Sequence, residues 1–377
     1  MDEVLDLDEA VDPLRHSAQV ADAAPSQNLD LVVEPEETSE TMSNRHPARS
    51  AEGTETQDLI LDAPEPEPAP KKSRTGRNLP AAVGVALGLL SLLALTLAFR
   101  PEPFVVFVAI AISAGMWELK AAFEHADLQL AIWPLLAGTS AMVVAAFLGG
   151  AGALLTTFIL TLLAIVVWQI VLAALERAPI SRLNIMASIF GAAYLPFMAG
   201  FVILIMRQHQ HAPYWRVALL ILLCVANDTG GYFAGIFLGK HPMAPSVSPK
   251  KSWEGFAGSV LLTCLVGVFG SHWVLGLPFT PNMSVAHMAN QPGAIWLSLF
   301  GSALGLGLLL GIFTAITSTL GDLSESLIKR DLGIKDMGSI LPGHGGILDR
   351  VDSIIFSAPF VFLILSIASQ FNYPVAY

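Results

Sequence analysis

The sequence predicts an all-α, polytopic membrane protein with about nine transmembrane helices, and three observations carry that prediction. Of the 377 residues, 54% are hydrophobic and only 14% charged, with a mean hydropathy of +0.61. A soluble chain carries about a quarter charged residues. Apolar runs of the length that crosses a bilayer as a helix recur from residue 79 onward. The charge is also segregated. Residues 1–70 hold eighteen acidic side chains against Arg15, Arg45 and Arg49, so the net charge of −11 belongs to this segment and the remainder is net positive.

Residues 1–78 are rich in Asp, Glu, Pro, Ser and Ala and nearly free of aromatic residues. Such a composition cannot bury enough apolar surface to offset chain entropy, and a disordered acidic tail is expected. An acidic start without an early apolar core does not read as a signal peptide. The run PEPEPAPKKSRTGR, residues 64–77, turns basic just before the first apolar segment. The membrane domain is expected over 79–377. Its helices are predicted at about 79–99, 103–119, 128–149, 152–175, 184–206, 216–238, 255–277, 295–320 and 347–369. The PEP at 101–103 suggests a tight hairpin between the first two.

Loop charges set the expected orientation. With Lys71, Lys72, Arg74 and Arg77 inside, fourteen Lys and Arg fall on the cytoplasmic side, and only Arg100, Arg207 and Arg216 on the other. The positive-inside rule then places the N-terminus and both charged loops in the cytoplasm. Cys224 and Cys264 lie in apolar runs without CxxC or Cys/His spacing and read as small buried hydrophobes. Nothing in the charge balance points to a nucleic-acid partner.

Two polar stretches stand out. In NDTGGYFAGIFLGKHPMAPSVSPKKSWEG, residues 227–255, Asn227 and Asp228 fall within an apolar run. Gly230, Gly231, Gly235 and Gly239 follow and permit close helix packing or a break. The loop then brings Lys240, Lys250 and Lys251, point charges suited to phosphates, with Ser246, Ser248 and Ser252 beside them. Trp253 fits an interfacial anchor.

The second stretch, Gly321 to Asp352, holds Asp322, Glu325, Asp331, Asp336, Asp349 and Asp352 among Lys329, Arg330, Lys335, Arg350 and His344. Only seven other acidic residues occur from Lys71 to Tyr377. Charges of both signs beside membrane segments are costly and mark a functional site. On a helix, Asp322, Glu325, Ser326 and Lys329 share a face, as do Asp349 and Asp352. Two helices presenting carboxylates can hold hard divalent cations and leave room for phosphates. The turn Pro342-Gly343-His344-Gly345-Gly346 lets backbone amides approach a phosphate.

The spacing Ser326-x-x-Lys329-Arg330, then Lys335-Asp336, then Pro342-Gly343-His344-Gly345-Gly346, then Asp349-Arg350-x-Asp352 resembles the signature of phosphatidate cytidylyltransferases, also called CDP-diacylglycerol synthases. The stretch 227–255 resembles that family's second block, and the likeness extends over roughly residues 80–370. The resemblance implies the reaction of CTP with phosphatidic acid to give CDP-diacylglycerol and pyrophosphate. It also implies Mg²⁺, nine membrane helices and a homodimer, with 79–377 as the catalytic domain in the cell (inner) membrane.

Carried onto this chain, the resemblance makes Asp322 and Asp349 the metal pair, with Asp352 or Asp228 assisting. Lys329, Arg330 and Lys335 are assigned to triphosphate or lipid phosphate, with Asp336 beside them, and His344 to orienting a ligand or phosphate. Asn227, Asp228, Lys250, Lys251, Ser326, Gly345, Gly346 and Arg350 are assigned to substrate binding. Two other readings stay open. One is a polyprenol or lipid kinase of related architecture; the other is an anion transporter built on the glycine-rich helix around Asp228, although no second copy of NDTGG or PGHGG marks the related halves transporters show.

Overall fold

The computed structural model describes residues 88, 91–97, 100–177, 179–208, 213–280, 294–338, 340 and 345–370. The expected tail at 1–78 lies outside the described residues, as do most of the first expected helix and Pro342, Gly343 and His344.

The helices are α1 (Pro101–Glu124), α2 (Ile132–Glu176), α3 (Arg182–Arg207), α4 (Pro213–Leu238), α5 (Trp253–Trp273), α6 (Ala294–Phe300), α7 (Ala303–Asp331) and α8 (Leu348–Ser369). All but α6 are long and apolar enough to cross a membrane, which makes seven candidate spans among the described residues. The expected runs 128–149 and 152–175 both fall on α2. This helix bends at Gly150, whose φ of 75° is a left-handed conformation that glycine adopts without steric cost. Arg207 Nη1 donates to the carbonyl of Ala146 at that bend, 3.4 Å away.

α3 contains a π-helical turn, Ala193–Phe197, around Pro196. A proline inside a helix has no N–H for the preceding turn, and the wider turn absorbs the mismatch.

Two boundaries differ from expectation. The run 295–320 divides at Gly301–Ser302, where the Ser302 hydroxyl accepts from Gly305 N at 3.1 Å and caps α7. α7 then continues to Asp331 and carries the acidic stretch as part of the same helix. The segment after α4 is also not a plain loop. It forms an antiparallel hairpin of β1 (Pro242–Ala244) and β2 (Ser248–Ser252), an exception to the all-α expectation. Glu254 holds the hairpin's base by accepting from the backbone N–H groups of Lys240 at 3.1 Å and His241 at 3.2 Å.

Small residues set how closely α4, α5, α7 and α8 approach. A Cβ on Gly230 would meet the Gly258 carbonyl, and one on Gly321 would lie 2.9 Å from Phe356 Cβ and 3.2 Å from Asp352 O. Without a hydrophobic drive between helices in lipid, such backbone proximity supplies much of the packing. Cys224 is buried and Cys264 half-buried, both as free thiols, and Cys264 belongs to one of these crossings. A Cβ at Gly311 would lie 2.5 Å from Cys264 Cα and 2.6 Å from its nitrogen. Backbone cannot yield there, so Gly311→Val is expected to cost about 1–3 kcal/mol or more. The melting temperature in detergent should fall by several degrees; an unchanged value would contradict the tight crossing.

Candidate active site

Elements α4, α5, β2, α7 and α8 converge at the end of the bundle where α4 meets the hairpin. From α4 come Asn227 and Asp228. The Asn227 amide donates to Asp228 Oδ1 at 3.2 Å and to Ser318 Oγ at 3.0 Å, and its oxygen accepts from Thr319 at 3.4 Å. Ser259 of α5 donates to the Asn227 backbone carbonyl at 2.6 Å. Asn227 is therefore the polar pin that locks α4, α5 and α7 together beside Asp228.

From β2, Lys251 reaches α7, its Nζ 2.7 Å from Asp322 Oδ2. A cavity of about 330 Å³ opens here, lined among others by Asn227, Asp228, Lys250, Lys251, Thr319 and Asp322. Tyr232, Met243 and Phe256 complete its wall, and it falls at the lower end of ordinary ligand-pocket volumes, about 300–1,000 Å³.

About two turns beyond Asp322 on α7, Lys329 Nζ sits 2.9 Å from Glu325 Oε2 and 2.6 Å from Asp349 Oδ1 of α8. Asp349 also accepts from the backbone N–H of Gly346 at 2.8 Å and of Met337 at 3.4 Å. Glu325 and Asp352 are almost fully buried, at 4% and 5% exposure, and among the described residues Glu325 Oε1 has no hydrogen-bond partner. Asp322 lies within electrostatic reach of both Asp228 and Asp352. The helical face expected from sequence thus exists, but its carboxylates are divided between two lysines.

The remaining expected residues fall around this core. Ser326 is half-buried on α7, and Arg330, exposed, donates from Nε to the Val247 carbonyl at 3.4 Å, tying α7 to the hairpin. Lys335 and Asp336 are exposed in the turn after α7, and Lys250 is exposed on β2. Gly345 takes a φ of 80°, and the Gly346 amide already serves Asp349, so that amide is not directed at a ligand. Arg350 is exposed on the first turn of α8, where it lines a second cavity of about 610 Å³. Apart from Thr96 and Arg350, the residues lining that cavity are apolar; they include Leu92, Phe104, Phe107, Ile347 and Ile354.

Sequence reasoning overlooked one side chain at the site, Glu118 of α1, which accepts from the backbone N–H groups of Ile347 at 3.0 Å and Leu348 at 2.9 Å. Its signal was present as an acidic residue inside an apolar run. The expected helix end at 119 placed it at the rim, whereas α1 runs to Glu124 and buries it.

The donor set suits a hard divalent cation, since every candidate ligand is a carboxylate oxygen and, among the described residues, Oε1 of neighbouring Glu325 has no hydrogen-bond partner. Among the described residues no three His, Cys, Asp or Glu side chains alone enclose an ion. Mg²⁺ usually takes one or two carboxylates and completes its shell with waters and substrate phosphates.

A bundle of membrane-spanning helices with a lysine- and carboxylate-lined cavity at one end defines a polytopic membrane protein with an ionic site. This chain belongs to the Cytidylyltransferase family, which matches residues 80–368, and is thereby a membrane protein of a nucleotidyl-transferring class. It is similar to the phosphatidate cytidylyltransferase of Mycobacterium leprae, 35% identical over 306 residues that cover 78% of this chain and 89% of the relative. A phosphatidate cytidylyltransferase of Mycobacterium tuberculosis is 33% identical over 304 residues, 78% of this chain and 84% of that protein. One from Haemophilus influenzae is 40% identical over 169 residues, 44% of this chain and 52% of its own.

Proposed function

We infer that this protein is a phosphatidate cytidylyltransferase that makes CDP-diacylglycerol from CTP and phosphatidic acid. The observation that carries the reading is the cavity in which Lys250 and Lys251 face Asp228 and Asp322. Cations there receive a triphosphate, and carboxylates beside them supply the ligands a nucleotide-bound Mg²⁺ requires.

In the reaction, an oxygen of the lipid phosphate attacks the α-phosphorus of CTP. The bond from that phosphorus to the bridging oxygen of the β-phosphate breaks, and pyrophosphate leaves. A phosphate monoester is already an anionic nucleophile at neutral pH, so the chain need not supply a strong base. The barrier is the approach of two anions, and fixed cations lower it by neutralising charge and holding the groups in line. Lys250 and Lys251 take the triphosphate, and Lys329, Arg330 and Lys335 take phosphate on the far side of Asp322. Asp322 and Asp349, with Asp352 beside them, would hold Mg²⁺. The ion supplies charge neutralisation of the transferring phosphate when bound.

The apolar cavity beside Arg350 supports the lipid half of the reading. Asp349 and Arg350 are consecutive on the first turn of α8, so a carboxylate of the ionic site and a cation facing an acyl-sized groove lie one residue apart. A substrate with a phosphate head and hydrocarbon tails matches that juxtaposition. The same reading places the site and the N-terminus on the cytoplasmic side of the inner membrane and the protein as a homodimer, with 79–377 as its catalytic domain.

The test uses membranes containing the protein, CTP labelled in the cytidine ring, phosphatidic acid and Mg²⁺. Label entering the lipid fraction is expected, and chelation by EDTA should stop it. Lipid labelled only from γ-phosphate-labelled CTP would overturn the reading in favour of a kinase.

A further inference from the structure

We propose that Glu118 is a positioning residue that aligns the metal-side carboxylate Asp349 by capping helix α8 from a distant helix. α8 starts at Leu348 without a side-chain cap hydrogen bond from Ile347, and the Ile347 and Leu348 amides lie against the buried Glu118 carboxylate. Orphan N–H groups at a buried helix start need an acceptor. Glu118, at 3% exposure, supplies both of its oxygens, one to Ile347 and one to Leu348, from 229 and 230 residues away in the chain. A carboxylate at a helix N-terminus also complements the helix dipole.

The packing around this carboxylate leaves no slack. A Cβ on Gly346 would lie 2.6 Å from Glu118 Oε2, and one on Gly338 would collide with the same carboxylate. Gly338 follows Met337, whose amide bonds Asp349, and Gly346 bonds Asp349 directly. Both backbone donors that orient Asp349 are thus in, or next to, segments pressed against Glu118. With both oxygens engaged by amides, Glu118 acts on the site through Asp349.

This inference rests on the metal reading of Asp349, and the experiment separates the two. Full-length wild type, Glu118→Gln, Glu118→Ala and Gly338→Ala are purified in detergent, with Glu124→Gln on the exposed face of α1 as control. Mn²⁺ affinity is read by electron paramagnetic resonance, kcat and KM for CTP by turnover, and amide exchange at 345–348 by mass spectrometry. Glu118→Gln and Glu118→Ala should weaken Mn²⁺ binding and lower kcat by about 10–100-fold, the range for groups that orient metal ligands. KM for CTP should stay within about twofold, and the 345–348 amides should exchange faster. Gly338→Ala, which keeps the charge and displaces it, should shift all three readouts in the same direction.

A folded Glu118→Gln protein with wild-type Mn²⁺ affinity, kcat and exchange would overturn the proposal. So would failure of all three variants to fold, because Glu118 would then support the fold rather than the site. Wild type that binds no Mn²⁺ would remove the metal reading, while faster exchange in Glu118→Gln would still bear on the cap.

Discussion

Asp349→Asn should abolish cytidylyl transfer, by at least about a thousandfold or ~4 kcal/mol of barrier, while the protein still inserts and folds. The carboxylate accepts from the Gly346 and Met337 amides and from Lys329, and each contact uses negative charge that a carboxamide lacks. Asparagine preserves the volume, so the packing of α8 against α7 is retained. Its NH₂ group, however, would face Lys329 or a backbone N–H donor to donor, and the remaining amide oxygen brings no negative charge to a metal. Asp322→Asn should be similarly inactive, since its carboxylate pairs directly with Lys251 at the cavity wall. Asp331→Asn, at the exposed end of the same helix as Asp322, should stay within about twofold of wild type. Turnover near the wild-type rate in Asp349→Asn would withdraw that residue from metal binding.

The contrast between Asp322 and Asp331 also shows what could be read from the chain. That α7 carries Asp322, Glu325, Ser326 and Lys329 on one face follows from helical period alone, and the lysine-to-carboxylate contact between Lys329 and Glu325 is local. The membrane-spanning character likewise follows from apolar run length, which needs no tertiary information. What composition and period could not supply is which partner each charge finds across space. Lys251 meets Asp322 from 71 residues away, and Asn227 meets Ser318 from 91. Those pairings depend on glycine-on-glycine helix crossings whose register no single run encodes. The partners of Glu118, though not its place in an apolar run, are hidden in the same way: they are backbone amides near 347, and backbone donors have no residue signature.

Lys329 gives the other large effect, and the degree of burial decides its kind. Its pairs with Glu325 and Asp349 leave side chains only 15%, 6% and 9% exposed, whereas the Lys251–Asp322 pair is 28% and 24% exposed. Removing one member of a buried charge cluster leaves the others uncompensated, at a cost of about 3–5 kcal/mol, while water reaches and partly screens the more open pair. Lys329→Met should therefore lower both the melting temperature in detergent, by several degrees, and kcat. Lys251→Met should leave the melting temperature nearly unchanged and act mainly through KM for CTP.

The double variant Lys329→Met/Glu325→Gln removes one stranded carboxylate along with the cation. It should recover much of the lost thermal stability yet none of the lost turnover, because Asp349 would still lack the charge that fixes it. Full recovery of turnover would mean that Lys329 serves only to neutralise Glu325. No loss of stability in Lys329→Met would mean that the three charges are better hydrated than their packing implies, and the lysine's place in the site would then have to rest on phosphate contact alone.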